Sequence, residues 1–304
     1  MSCTWRPTSF DGFEIEKILY HDPDTKSLGV LGSFKGVEGR AIVKLQRQHF
    51  DIDNIPEALN SNTNLQMSFE NDVYSKYTAV LPTPHTLVNV DLTHPATDLH
   101  IKKAQEQPYH MVHETPKMYQ NLVLPFIQSL PPSRLQWVYN MLDKKKEVEP
   151  LIFEDPDPQN GFMMHPDMKW DKTTTQQLYC LVLCNRRDIL NLRSLTAEHL
   201  PLLYNIKKQA AQVIQDRFGV PPDQLRMYVH YLPSYYHFHV HVTHVKLSNM
   251  GSAVGKAYLL EDIIDNIETY GSDFYQRKTL TVTVGENEDL WGIYSKAVNE
   301  NAEK

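Results

Sequence analysis

The chain has 304 residues, 41% of them hydrophobic, with 30 basic against 37 acidic side chains and a formal net charge of −7. That length predicts two domains, and the apolar content suffices for a buried core. The acidic balance excludes a protein that grips duplex nucleic acid through a basic surface, because neutralising backbone phosphates dominates such affinity; any nucleic-acid partner is short or locally bound. Three cysteines, Cys3, Cys180 and Cys184, give no disulfide framework. The last two share one strand face in an apolar run and read as buried, inert thiols. The opening "MSCTWRPTSFDGF" has neither the basic start nor the apolar run of a signal peptide. The longest strongly apolar run, "LYCLVLC", is too short to cross a bilayer. The expectation is an intracellular soluble protein with no membrane partner, cytoplasmic, with nuclear entry left open.

Along the chain, "FEIEKILY", "SLGVLGSF" and "RAIVKLQ" read as short strands separated by the turn signals "HDPDT" and "KGVEG". They predict an antiparallel, β-rich first domain. From Pro95 to Ile127 the pattern turns helical but is broken at Pro108, Pro116 and Pro125, as a hinge would be. The boundaries that follow are 1–106 for the first domain, 107–114 for the hinge and 115–304 for the second domain.

Ser133 is placed to cap a helix carrying Leu135, Val138 and Leu142 on one side, with Trp137 and Glu147 elsewhere on its surface. "PLIFE" and "GFMMH" read as strands joined by a loop with Asn160 and Gly161, and "LYCLVLC" as a continuous apolar strand. Thr196 then caps a long helix in which Leu203, Ile206, Ala210 and Val213 recur at helical spacing as far as Gly219. "LRMYVHYL" and "YYHFHVHV" are strands across a Pro-Ser turn, "YLLEDIIDNIE" is an amphipathic helix, and "KTLTVTV" closes the domain as a strand. The order predicts an α+β second domain.

Within "LRMYVHYLPSYYHFHVHVTHV" lie five of the chain's 14 histidines. His237, His239 and His241 alternate with Phe238, Val240 and Val242, so strand geometry lines one face with three imidazoles and turns the apolar side chains into a core. His244 and His199 read as satisfied structural residues. Burying three neighbouring imidazoles costs desolvation at each, which makes a purely structural role for the run poor. A metal site is one option. Yet no histidine follows His244, and no carboxylate there stands in a ligand motif. Nucleophilic catalysis is the other: a neutral imidazole attacks phosphorus, a neighbour fixes its tautomer and a third donor meets charge on the phosphate oxygens.

The run His237-Phe238-His239-Val240-His241-Val242-Thr243 resembles the signature of the histidine-triad (HIT) family. That resemblance implies nucleotide hydrolase or transferase chemistry at an α-phosphate, with His239 as nucleophile. Transferases of the family carry glutamine at the third position, so His241 favours hydrolysis. The longer string "HYLPSYYHFHVH" is similar to the scavenger mRNA-decapping branch, as are "NDVYSKY", "HETPKMYQNLVLPFI", "QWVYNMLDKK", "FEDPDPQNGF", "PDMKWD", "LTAEHLPLL" and "GSAVGKAYLL". The branch implies a β-rich lid and dimerisation domain hinged to a HIT-like α+β domain with an antiparallel sheet. It also implies a domain-swapped homodimer and no metal or other cofactor. The substrate would be the 7-methylguanosine cap dinucleotide or a short capped RNA, released as 7-methyl-GMP and a diphosphate-ended nucleotide.

The resemblance assigns further residues. Trp137 and Glu147 match readers of the methylated base, which carries positive charge and suits an indole face and a carboxylate. Pro166, Asp167, Met168 and Lys169 match a loop over base, ribose and phosphates; the branch often has leucine at Met168. His230, Ser234 and Tyr235 match phosphate contacts, and Lys256 stands where arginine also occurs, so a forked donor becomes a single ammonium. Asn71, Tyr74 and Lys103 match first-domain residues that reach the ligand on closure, with His237 orienting the nucleophile. Lys144, Lys145 and Lys146 read as a solvated helix face. The alternatives are another HIT dinucleotide-polyphosphate hydrolase or phosphoramidase, which needs no methylguanine reader, a catalytically silent cap-binding module, and a metal-binding β-protein.

Overall fold

The computed structural model describes residues 6–48, 50–83, 85–145, 151–247 and 250–302. The chain divides into two compact units, Met1–Pro108 and Tyr109–Lys304. In the first, strands β1 (Phe13–Asp22), β2 (Ser27–Phe34) and β3 (Arg40–Arg47) form an antiparallel meander. Asp22 fixes its first turn by accepting from the amides of Asp24 and Thr25 at 2.9 and 3.1 Å. After a short helix α1 (Ile55–Ala58), β4 (Leu65–Asn71) and β5 (Tyr74–Ala79) make a separate hairpin, and β6 (Val88–Thr93) returns to pair with β3. Helix α2 (Asp98–Ala104) is capped by Thr97 and brings Ile101 onto Leu19, Leu31 and Ile42 in a small core.

The second unit opens with β7 (Tyr109–Glu114), followed by α3 (Pro116–Met118), α4 (Leu124–Ser129) and α5 (Gln136–Leu142). Strands β8 (Phe153–Glu154), β9 (Phe162–Pro166) and β10 (Tyr179–Cys184) lead to α6 (Leu200–Phe218). Next come β11 (Leu225–His230), β12 (His239–His244) and β13 (Ala257–Leu259), then α7 (Leu260–Tyr270), α8 (Phe274–Arg277), β14 (Leu280–Gly285) and α9 (Trp291–Ala302). Six strands form one antiparallel sheet in the order β13-β11-β12-β10-β9-β8. Helix α6 lays Leu203, Ile206, Ala210 and Ile214 on the core and ends at Gly219, whose φ of +69° is a conformation glycine adopts without steric cost. Thr196 does cap this helical segment, through a box with His199 in the single 3-10 turn ahead of α6. The architecture is the expected β-rich part plus an α+β part with antiparallel sheets.

Several local expectations are corrected. Tyr109–Glu114, read as helical and within the hinge, is a strand, because β14 lies beside it in full register from Tyr109↔Gly285 to Glu114↔Leu280. Ser133 caps nothing: it sits inside a 3-10 turn that Pro132 initiates, and α5 starts at Gln136 without a side-chain cap. The segment "YYHFHVHV" becomes strand only at His239; before it, the Phe238 amide donates to Ile189 O at 2.9 Å, outside the ladder with β10. The domain does not close on "KTLTVTV", since α9 follows it.

A buried ion pair ties these parts together. Glu114, at the end of β7, accepts from Arg193 Nε at 2.7 Å and from the hydroxyls of Tyr231, at 2.5 Å, and Tyr294. Arg193 spends its other donors on the carbonyls of Tyr275, Lys278 and Glu114 at 2.8 to 2.9 Å. Every charge-bearing group is satisfied, as burial of an ion pair requires. Tyr231 begins the loop that leads to His239, so this network anchors one end of it.

Candidate active site

Strand β12 runs between β10 and β11 with Leu183↔His239, Leu181↔His241 and Tyr228↔His241 as opposed pairs. Opposed residues share a face, so Tyr179, Leu181, Leu183, Tyr228, His230, His239 and His241 line one side. Cys180, Val182, Cys184, Val240 and Val242 belong to the core. Burial pushes both thiols up to about 12, which makes them inert as expected.

The triad is held by main-chain carbonyls. His239 Nδ1 lies 2.7 Å from His237 O, and His237 Nε2 lies 2.9 Å from Cys184 O. A carbonyl only accepts, so each of these nitrogens carries the proton. His239 Nε2 is therefore a bare lone pair, and it receives no hydrogen bond from the described residues. The orienting group supplied by His237 is its backbone, not its imidazole. His241 Nδ1 meets the Tyr179 hydroxyl at 2.9 Å, a group that can donate or accept. Burial pushes His239 down to about 4 and His237 and His241 below their ordinary range, so all three are neutral at pH 7.

Aromatic rings frame the nucleophile candidate. Tyr235 stacks on His239 with centroids 4.2 Å apart and planes 16° apart, and Trp137 meets Tyr235 edge-on at 4.9 Å. Stacking covers the imidazole face rather than the edge that carries the lone pair. His230 packs on His241 at 4.1 Å and holds Gly251 O through Nε2 at 2.8 Å.

Beside these residues opens a cleft of about 620 Å³ lined by Lys169, Gln177, Tyr179, His230, Ser234 and Lys256 among others. The expected phosphate-side residues Lys169, His230, Ser234 and Lys256 are thus brought together. Tyr235 lies instead against His239, and its buried hydroxyl has no partner among the described residues. Trp137 remains 44% exposed, as a base platform must be. Pro166 ends β9, the Asp167 carboxylate closes a turn by accepting from the Lys169 amide at 2.9 Å, and Met168 is 88% exposed at its tip. Glu147 and Lys146 lie outside the described residues. Asn71 and Tyr74 face each other across the β4–β5 turn, and Lys103 stands in the last turn of α2; all three belong to the first unit. Gln177, Tyr179 and Glu288 also line the cleft and were not foreseen. For Tyr179 a signal existed, since alternation along "YCLVLC" puts it on the face opposite the two cysteines.

Two family models match: "Scavenger mRNA decapping enzyme (DcpS) N-terminal" over residues 8–107 and "Scavenger mRNA decapping enzyme C-term binding" over residues 136–256. The m7GpppX diphosphatase of Bos taurus is 40% identical over 293 residues, 95% of this chain and 86% of that protein. That of Homo sapiens is 38% identical with the same coverage. The Schizosaccharomyces pombe m7GpppX diphosphatase is 36% identical over 92% of this chain and 93% of its own length.

The buried neutral histidines give stability a pH dependence. Unfolded, each titrates near its ordinary 6.5, whereas folded His239 titrates near 4, so between these values the unfolded chain binds more protons. Stability is complete above pH 6.5 and falls as pH drops towards 4, by up to about 3 kcal/mol from His239 alone. Thermal scans should show a midpoint that declines steadily from pH 7 to pH 4.5. A flat midpoint over that range contradicts the burial of neutral imidazoles.

Proposed function

The chain belongs to the scavenger mRNA-decapping enzyme family, and from that premise we propose how its residues perform m7GpppX hydrolysis. The protein is a hydrolase of acid anhydrides that opens the triphosphate bridge of the 7-methylguanosine cap, on the dinucleotide or on short capped RNA. The observation that carries the mechanism is the bare His239 Nε2, fixed by the carbonyl of His237 beside a cleft with two lysines. His239 Nε2 attacks the phosphorus attached to 7-methylguanosine, forming an N–P bond as the bond to the bridging oxygen breaks. The diphosphate-ended nucleotide leaves with the electron pair. When Tyr179 donates to Nδ1 of His241, His241 Nε2 carries a proton for the leaving or non-bridging oxygen. Water then attacks the phosphoimidazole, releasing 7-methyl-GMP and restoring the lone pair. Lys169, Lys256, Ser234 and His230 meet the phosphate charge, with Tyr235 holding the nucleophile's plane. No step needs a cofactor.

Trp137 stacks the methylated base, with Glu147 as carboxylate reader and Pro166, Asp167 and Met168 covering base and ribose. The first unit acts as a lid whose Asn71, Tyr74 and Lys103 reach the ligand when it swings about the Pro108 junction ahead of β7. The protein works as a domain-swapped homodimer in the cytoplasm, with access to the nucleus. In favour of pairing, the β4–β5 hairpin exposes Leu65, Met67, Phe69, Tyr74 and Tyr77, and a lone two-stranded hairpin is marginal in water.

His239→Asn should keep the fold and cap-analogue binding while lowering turnover by at least about a thousandfold; rapid quench of the wild type with labelled cap should trap label on the protein. Turnover near wild type removes the nucleophile assignment. Base stacking is worth ~1–3 kcal/mol, so Trp137→Ala should weaken 7-methyl-GDP binding by roughly 5- to 150-fold. Equal wild-type affinity for 7-methyl-GpppG and GpppG would count against the methylguanine pocket. If closure gates catalysis, capped fragments of about ten nucleotides or fewer should be cleaved and long capped transcripts bound but spared; rapid cleavage of a long transcript is the outcome that refutes the lid.

A further inference from the structure

One nitrogen from each of His230, His239 and His241 lies within 4.8 Å of the other two. A point equidistant from three such atoms is about 2.8 Å from each, so shifts of about 0.7 Å would bring them onto the ~2.0–2.1 Å bonds of zinc. We propose that these imidazoles form a three-ligand site for Zn2+, and that its occupation engages the His239 lone pair and reversibly silences the enzyme. The silencing rests on the reading of His239 as nucleophile; the site itself does not.

The outer nitrogens decide what the inner ones offer. His239 Nδ1 gives its proton to His237 O at 2.7 Å, and His230 Nε2 gives its proton to Gly251 O at 2.8 Å. Neither carbonyl can donate, so the inner nitrogens of both rings are lone pairs. His241 Nδ1 meets the Tyr179 hydroxyl, which can take its proton and leave Nε2 bare as well. An imidazole whose far N–H is held by a carbonyl or hydroxyl is the arrangement that fixes tautomer and ring orientation in zinc sites. Nε2 of His239 and of His241 receive no hydrogen bond from the described residues. In that tautomer the three converging nitrogens are all acceptors, unsatisfied until a proton or a metal arrives.

Charge selects the ion. Lys169 and Lys256 stand near His241 and oppose any cation. Among the described residues no carboxylate belongs to the cluster, so hard Mg2+ or Ca2+, which seek oxygen ligands, find none there. Zn2+ takes neutral imidazole readily, and its fourth position stays open to water or to a phosphate oxygen from the cleft.

The test uses the full chain. Calorimetric titration with ZnCl2 should give one equivalent bound, and CoCl2 should give the visible d–d bands of a low-coordinate imidazole site without a thiolate charge-transfer band. In the cobalt protein, the outer imidazole N–H protons should appear as hyperfine-shifted exchangeable resonances, a signature that needs no variant. His230→Gln, checked for folding by circular dichroism, should weaken binding at least about tenfold, while Cys184→Ser leaves it unchanged. Zn2+ should then abolish hydrolysis of 7-methyl-GpppG, EDTA should restore it, and Mg2+ should do neither. Absence of a one-equivalent site, or a cobalt spectrum indifferent to His230→Gln, overturns the site whatever the hydrolysis assay shows. Zinc bound at the three histidines with hydrolysis intact overturns the silencing and places the fault in the role given to His239.

Discussion

The carbonyl oxygen of His237 accepts the Nδ1 proton of His239 at 2.7 Å, and it can make no other use of that nitrogen. One backbone atom therefore fixes the tautomer, the ring plane and the direction of the lone pair at once. The same device recurs at His237 itself through Cys184 O and at His230 through Gly251 O. Burial supplies the rest, because an imidazole removed from water resists protonation. With 3% of its surface exposed, His239 is held neutral far below pH 7. The lone pair of such an imidazole needs no general base to uncover it, only a scaffold that keeps the carbonyl in place.

That scaffold is the loop from Tyr231 to Phe238, and both of its ends are pinned. At one end the Tyr231 hydroxyl donates to Glu114, inside a network with Arg193 and Tyr294. At the other, the Phe238 amide bonds Ile189 O while its ring fills the core. Ion pairs so deeply buried add little net stability, and removing one partner costs about 3–5 kcal/mol because the other charge is stranded. Their value here is geometric. β7, the Arg193 turn, α8 and α9 must all be in place before Glu114 and Arg193 are satisfied, which couples the loop's anchor to completion of the unit.

Much of this was legible in the sequence where a period governs. The alternation of His237, His239 and His241 with apolar residues assigned faces without a structure, and the helical spacing of Leu203, Ile206 and Ala210 found the buried stripe of α6. What was missed is non-local. Nothing in "PYHMVHE" says strand until β14, some 170 residues later, lies beside it, and the prolines around it favour a break on local grounds. Ser133 was outcompeted by Pro131 and Pro132, which set a 3-10 turn first. Tyr179 was hidden because its contacts depend on cross-strand neighbours, although its parity along β10 pointed to the face that carries His239 and His241. The cluster with His230 was equally out of reach, since β11 and β12 had to be laid side by side before its ring met His241.

Trp137, Tyr235 and His239 make a short aromatic series, edge to face and then face to face. On the proposed reading this joins base recognition to attack by contact rather than by a conformational relay. A base stacked on the exposed indole sits one ring from Tyr235 and two from His239, a span that suits the ribose separating the methylated base from the scissile phosphorus. The donors for that phosphate, on the Lys169 loop and at Lys256, line the neighbouring cleft. A substrate anchored at one end by its methylated base and at the other by phosphate charge has its α-phosphorus placed in between. Because proximity of this sort lowers the barrier only when the attacking atom is equally fixed, the rigidity of the His237 carbonyl and the stacking of Tyr235 are two halves of the same requirement.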